Sequence, residues 1–252
     1  MKNFKAIGVL SLPDDLGKRS FEDYISSLLL DFFSLQDGGI DLILIENEGD
    51  KAASRRANPQ TIDLLSEFLG VMDKAKACVR IPYLIGVLPA DYEASFDLAK
   101  RFNALGVWMD TLVDRVSPKY IDEKIVIDIN PEDVLKYKGK KKLYVEVQPR
   151  NFYEILDRKR LEESVGIARK YADAICVVGE NSPPSLALLR RSREVVGENY
   201  PIGVSGKLST GNIQSYVGIA DFGVFFSSLR GNGDYNKPID EERVRLLIER
   251  IK

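Results

Sequence analysis

Three acidic residues stand at or near the ends of aliphatic runs. Glu46 follows Ile40-Asp41-Leu42-Ile43-Leu44-Ile45, Asp110 follows Gly106-Val107-Trp108-Met109, and Glu146 lies in Leu143-Tyr144-Val145-Glu146-Val147. A carboxyl in such a place is partly desolvated, which raises its pKa unless a cation pairs with it. Acids tuned in this way are candidates for proton transfer. Asp50 lies four positions beyond Glu46. Gly49, just before it, lets the loop fold back so that both acids face one cavity. Glu46 and Asp50 together are also suited to hold a divalent cation, directly or through water. The competing reading is a polar loop that caps the next element. Glu46, Asp50, Asp110 and Glu146 are thus the candidate catalytic residues. The chain has no histidine. That excludes a Ser-His-Asp triad, a Cys-His dyad, a His-ligated zinc and a histidine general base. Proton chemistry here falls to Asp, Glu, Lys, Tyr or water.

Asn47, Gln148, Ser205, Gly206, Lys207 and Ser227 surround these acids as candidate substrate-binding residues. Alternation with period two turns Tyr144, Glu146 and Gln148 to one face and Leu143, Val145 and Val147 to the other. An inward Glu146 needs a partner, because an unpaired buried charge is costly. Lys207 is the first choice and Arg150 the second. The run Ser205-Gly206-Lys207, followed by Ser209-Thr210-Gly211-Asn212, suits a loop that holds a phosphate on backbone N–H groups. Helix capping by Ser209 or Thr210 explains the same residues. Phe226 is bulky for a position where backbone must approach a phosphate.

The elements that position these residues alternate regularly. Strands are predicted at Ala6–Ser11, Ile40–Glu46, Pro82–Leu88, Gly106–Asp110, Leu143–Gln148, Ala174–Gly179, Ile202–Ser205 and Gly223–Ser227. Helices are predicted at Phe21–Leu35, Pro59–Ala75, Tyr92–Asn103, Pro131–Tyr137, Arg160–Tyr171, Ser185–Val196, Gly211–Val217 and Glu241–Ile251. Strand-then-helix repeats make neighbouring strands parallel. Eight such units in 252 residues predict an α/β fold, a single (β/α)8 TIM barrel over residues 1–252. A doubly wound sheet is the alternative, but Leu10-Ser11-Leu12-Pro13-Asp14 lacks its glycine fingerprint. In a barrel the chemistry sits at the carboxyl ends of the strands, so the acids are expected at one mouth.

Lys and Arg number 36 against 38 Asp and Glu, a formal net charge of -2. Nucleic acid is therefore not an expected partner. No run is long enough for a transmembrane segment, and the N-terminus does not read as a signal peptide. Cys78 and Cys176 make no metal motif, and a cytoplasmic protein with reduced thiols is expected. The expected partner is a small-molecule ligand, phosphorylated or not. Self-association into a homo-oligomer stays open, and no cofactor is required.

Several stretches resemble the BtpA/SgcQ family of barrel proteins. Gly38-Gly39-Ile40-Asp41 through Glu46-Asn47-Glu48-Gly49-Asp50 is similar to its two glycines, hydrophobic-Asp strand and Glu-Asn-x-Gly-Asp loop. Ala172-Asp173-Ala174-Ile175 with Val178-Gly179 resembles its sixth strand, and Pro201 through Gly206 with Gly211-Asn212 its seventh. Ala220-Asp221, Ser227-Ser228-Leu229-Arg230, Gly233 and Pro238-Ile239-Asp240 with Arg243 resemble its end. The resemblance implies a predicted barrel enzyme. One branch of the family is linked to photosystem I biogenesis and another lies among sugar-utilisation genes. The chain departs from the family pattern at Ser11, Gln148, Asn181 and Phe226. Two readings follow. The first is an enzyme that uses carboxylate acid/base chemistry on a small sugar- or nucleoside-like metabolite. The second is a non-catalytic barrel acting as a binding or assembly factor.

Overall fold

Among the described residues, short and largely buried runs form ten strands: β1 (Lys5–Leu12), β2 (Leu42–Asn47), β3 (Tyr83–Val87), β4 (Gly106–Met109), β5 (Val116–Pro118), β6 (Lys142–Val147), β7 (Tyr153–Ile155), β8 (Ala174–Val178), β9 (Ile202–Ser205) and β10 (Phe222–Phe225). The computed structural model describes residues 4–12, 17–47, 56–88, 90–119, 125–234 and 236–252. Eight strands close into a barrel in the order β1-β10-β9-β8-β6-β4-β3-β2. Every neighbouring pair in it is parallel. The predicted TIM-barrel architecture is therefore the one observed.

The described residues include seven α-helices: α1 (Phe21–Asp37), α2 (Pro59–Lys74), α3 (Tyr92–Arg101), α4 (Pro131–Lys138), α5 (Leu161–Ala168), α6 (Leu186–Val196) and α7 (Glu241–Ile251). Local chemistry starts most of them. Ser20, Asn58, Asp91, Asn130, Ser185 and Asp240 accept from backbone N–H groups of the first turn, and Pro59 and Pro131 open α2 and α4. A side-chain oxygen there satisfies one of the four orphan donors of a helix start. Among the described residues no helix is long and apolar enough to cross a membrane.

The period-two alternation sorts the strand residues into two layers. Ile43, Ile45, Ile85, Val107, Leu143, Val145, Val147, Ile175 and Val177 join the main core beneath the helices. Ile7, Val9, Leu42, Leu44, Leu84, Trp108, Cys176 and Phe222 fill the barrel, with Tyr144 packed against them. Trp108 and Tyr144 stack at 6.3 Å, and Tyr144 meets Phe222 edge-on at 5.8 Å. Gly203 is required beside this layer, because a Cβ there would lie 2.1 Å from the Phe222 ring. Leu44, Trp108 and Tyr144 each sit two positions before an acid, so Glu46, Asp110 and Glu146 stand one layer above this apolar plug.

Two features differ from expectation. The helix expected at Gly211–Val217 is only a 3-10 turn at Ile213–Ser215. Asn212 accepts from Ser209 N–H and donates to the Lys207 carbonyl, which holds the segment as a loop. Gly218, with φ at +90°, ends it. The other feature is a two-stranded antiparallel sheet of β5 and β7, with Ile127 bridged to Val116. Val116, Ile127 and Tyr153 form its small buried cluster. These segments follow the carboxyl ends of β4 and β6, so the sheet lies on the mouth side of the barrel.

Candidate active site

The barrel mouth opens into a cavity of about 1280 Å³. Its wall brings together Glu46, Asp110 and Glu146 with Asn47, Ser205, Gly206, Lys207 and Ser227. Three of the four candidate catalytic residues and five of the six candidate binding residues thus share one space. Asp50 lies outside the described residues, and with it the Glu46/Asp50 cation site. Among the described residues no group of three His, Cys, Asp or Glu is placed to hold a metal ion.

Asp110 follows β4 and keeps part of its surface open to the cavity. Tyr153 in β7 donates its hydroxyl to Asp110 Oδ2 at 2.9 Å. Burial pushes the Asp110 carboxyl above the usual aspartate range, while hydrogen bonds from Tyr153 and Trp108 pull the other way. Burial disfavours the charged form and donors favour it, and here burial dominates.

Glu146 is 8% exposed and pairs in register with Cys176 of β8. Ser205 donates to its Oε1 at 3.2 Å. Arg150, the second-choice partner, instead donates to Gln148 Oε1 at 2.9 Å. Burial first, and the charge of Glu146 second, push the Cys176 thiol well above its ordinary range. The thiol is therefore a filler of the barrel rather than a nucleophile at neutral pH.

Glu46 is half-buried at the end of β2, in register with Ser11 and with Gly86. A Cβ at Gly86 would lie 3.7 Å from Glu46 Cβ and 3.4 Å from the Trp108 carbonyl oxygen, in ordinary van der Waals contact with both. Asn47 is buried and accepts from Leu88 N–H at 2.9 Å, so its Oδ1 anchors the β3 loop. Gly206 has φ at +97°, and a Cβ there would approach the Gly179 carbonyl oxygen to 3.0 Å. Lys207 also takes a left-handed φ, at 54°. Ser227 begins a 3-10 turn that ends at Leu229.

Gln148 is placed differently from the rest. The strand ends at Val147, and Gln148 adopts φ at +47°, which breaks the inward alternation. Its Nε2 donates to the Lys159 carbonyl at 2.9 Å and to Ser164 Oγ at 3.2 Å, toward α5. Its N–H donates to Asp114 Oδ2 at 2.8 Å. All these contacts tie the β6 loop down, and the side chain is not part of the cavity wall. Asp91, another acid near a strand end, is likewise spent on structure. It caps α3 and accepts from Ala57 N–H at 2.9 Å and from Arg56 at 3.1 Å.

Sequence reasoning missed Tyr153. It lies 43 residues from Asp110 in a three-residue strand, and no local pattern marks it. The Glu180–Lys119 ion pair at 3.2 Å was missed too; Lys119 also donates to the Arg150 carbonyl at 2.6 Å and so links the rim loops.

The sequence profile of the BtpA family matches residues 5–252. The putative sgc region protein SgcQ of Escherichia coli K12 is 24% identical over 230 residues, covering 88% of this chain and 82% of that protein. A protein of Methanocaldococcus jannaschii is 23% identical, covering 91% of this chain and 86% of its own length. Among solved structures, aminoacrylate-bound tryptophan synthase from M. tuberculosis superposes with a TM-score of 0.63 at 12% identity, over 100% of this chain and 94% of that one. A monomeric form of the dimeric phosphoribosylanthranilate isomerase from Thermotoga maritima gives 0.60 at 12% identity, over 98% of each chain. At these identities the structures share the fold alone. The family match spans nearly the whole sequence, and the chain belongs to the BtpA family.

Proposed function

We propose that the protein is an enzyme that acts on a small sugar- or nucleoside-like metabolite by carboxylate acid/base chemistry at the barrel mouth. One observation carries this reading. Asp110 is a carboxyl whose pKa burial raises, whose Oδ2 is fixed by Tyr153, and which still borders the cavity. A carboxyl of this kind holds a proton closer to neutral pH than an exposed aspartate does, which is what a general acid needs. Glu46 and Glu146 stand on the same wall, one to each side in barrel order. One of them serves as the base, or orients the substrate by accepting from its hydroxyl groups. Val9, Leu44 and Trp108 give the cavity an apolar floor for a sugar ring or a base. The solved barrels of similar fold include enzymes, which is consistent with this reading but assigns no reaction.

The test begins with a panel of sugars, nucleosides and their phosphates, screened for thermal protection and then for turnover. A compound that protects and is converted identifies the substrate class. Asp110→Asn should then lower turnover by about 10²–10⁴-fold while the ligand still binds. Undiminished turnover in that variant would overturn the role of Asp110. Protection without turnover across the panel would favour the binding-factor reading.

A further inference from the structure

The cavity extends beyond the barrel mouth, between α1 and the segment that follows β10. Its wall there includes Arg19, Asp31, Phe226, Arg230 and Lys237. The Arg230 side chain is 4% exposed. Its Nη1 donates to Asp31 Oδ2 at 3.0 Å and to the Lys237 carbonyl. Its guanidinium carbon lies 5.6 Å from the centre of the Phe226 ring. Asp31 is fixed in turn, because its Oδ1 accepts from Ile239 N–H at 2.8 Å.

These contacts use one end of the guanidinium only. Among the described residues, none accepts from Nε, and none accepts from Nη2. Nε and Nη2 lie on the same edge of the planar group. Together they form the fork that matches two oxygens of a carboxylate or phosphate. A buried guanidinium N–H without an acceptor is costly. A latch between α1 and the β10 loop accounts for Nη1 and Asp31, and leaves the fork unexplained. Phe226 also occupies the position after β10 where many barrels bring backbone N–H groups to a phosphate. In this chain its ring instead supports Arg230.

From this geometry we infer that the Nε/Nη2 edge of Arg230 binds the anionic end of the ligand, a carboxylate or a phosphoryl group. The assignment rests on the cavity being the ligand site. Nη2 is the open end of the fork and engages first; Nε joins as the side chain settles on the anion. Arg19, whose guanidinium lies 4.4 Å over the Tyr24 ring, and Lys237 add positive charge to the same wall. Lys207 stands after β9, also on this side of the barrel. The acids stand on β2, β6 and just past β4, two, three and four places from β10 in barrel order. The ligand is therefore bound with its anionic group toward Arg230 and its hydroxyl-bearing end toward Glu46, Asp110 and Glu146.

The experiment titrates the full chain with inorganic phosphate and, separately, with malonate at constant ionic strength, and measures Kd by calorimetry. At least one anion should bind wild-type protein. Arg230→Lys should weaken that binding at least tenfold, because lysine can still pair with Asp31 but presents no fork. Asp31→Asn should strengthen it, because it removes the neutralising charge and the bond that holds Nη1, while its one oxygen still accepts from Ile239 N–H. This second variant remains decisive if Arg230→Lys fails to fold. Preference for phosphate assigns a phosphoryl group to the ligand, and preference for malonate a carboxylate. The inference is overturned if neither anion binds, if Arg230→Lys binds as wild type does, or if Asp31→Asn binds no more tightly. The titration involves no turnover, so its failure is separate from any failure of the acid/base role of Asp110.

Discussion

Tyr153→Phe should move the titration of Asp110 upward. The hydroxyl donates to Asp110 Oδ2 at 2.9 Å, and this bond lowers the pKa of the carboxyl against the opposing effect of burial. A hydrogen bond to a charged group contributes about 1.5 kcal/mol at the low end of its range. One pH unit corresponds to about 1.4 kcal/mol. Losing the bond should therefore raise the Asp110 midpoint by about one pH unit. The Phe ring retains the packing against Val116 and Ile127, so the fold should persist. The assay is a carbon-13 NMR titration of labelled aspartate carboxyls in wild type and variant. Stability gives an independent check. A carboxyl whose folded pKa is raised binds more protons folded than unfolded. Its contribution is fully present below the unfolded value near 3.9 and is lost as pH rises through the folded midpoint. The variant should thus lose about 1.4 kcal/mol more than wild type between pH 4 and a pH above both midpoints. A midpoint that stays or falls would refute the assignment of Tyr153 as a donor to an ionisable Asp110.

Asp110→Asn removes that titration, so its stability relative to wild type should rise from pH 4 to pH 8; a constant difference across that range in thermal melts would contradict the raised pKa. Gln148→Ala should cost about 1–3 kcal/mol in denaturant unfolding, since it strips partners from Ser164, Arg150 and the Lys159 carbonyl. It should leave ligand affinity unchanged, and a large affinity loss would return Gln148 to the site. Gly206→Ala should cost about 1–3 kcal/mol, because a left-handed φ and the Gly179 carbonyl both oppose the new Cβ. A neutral result in the same unfolding assay would mean that the loop after β9 relaxes freely.

The barrel was legible because each of its strands is a short, largely buried and apolar run of four to eight residues, most of them separated from the next by a capped helical stretch. The three acids were legible for the same reason, since a carboxylate that interrupts or ends such a run has few places to point. Gln148 was not, because nothing in Val147-Gln148-Pro149 announces a left-handed residue, and one such φ redirected the side chain from the cavity to α5. The β5/β7 sheet was hidden by its length: Val116–Pro118 includes a proline, and Tyr153–Ile155 has no alternation to read. The link between Tyr153 and Asp110 exists only once two mouth loops pair. Arg230 was visible as a residue, but its unpartnered fork depends on Asp31, about 200 positions away in the chain, taking only one end of the guanidinium.

The central claim is that the chemistry takes place in the mouth cavity, with the substrate against the three acids. A crystal structure of the protein with a compound from the metabolite panel that protects it against unfolding tests this most directly. The ligand should sit against Trp108, with a polar atom within hydrogen-bonding distance of Asp110 and at least one of Glu46 and Glu146. A ligand seated on the outer helices, or in the cavity with only water facing Asp110, would contradict it.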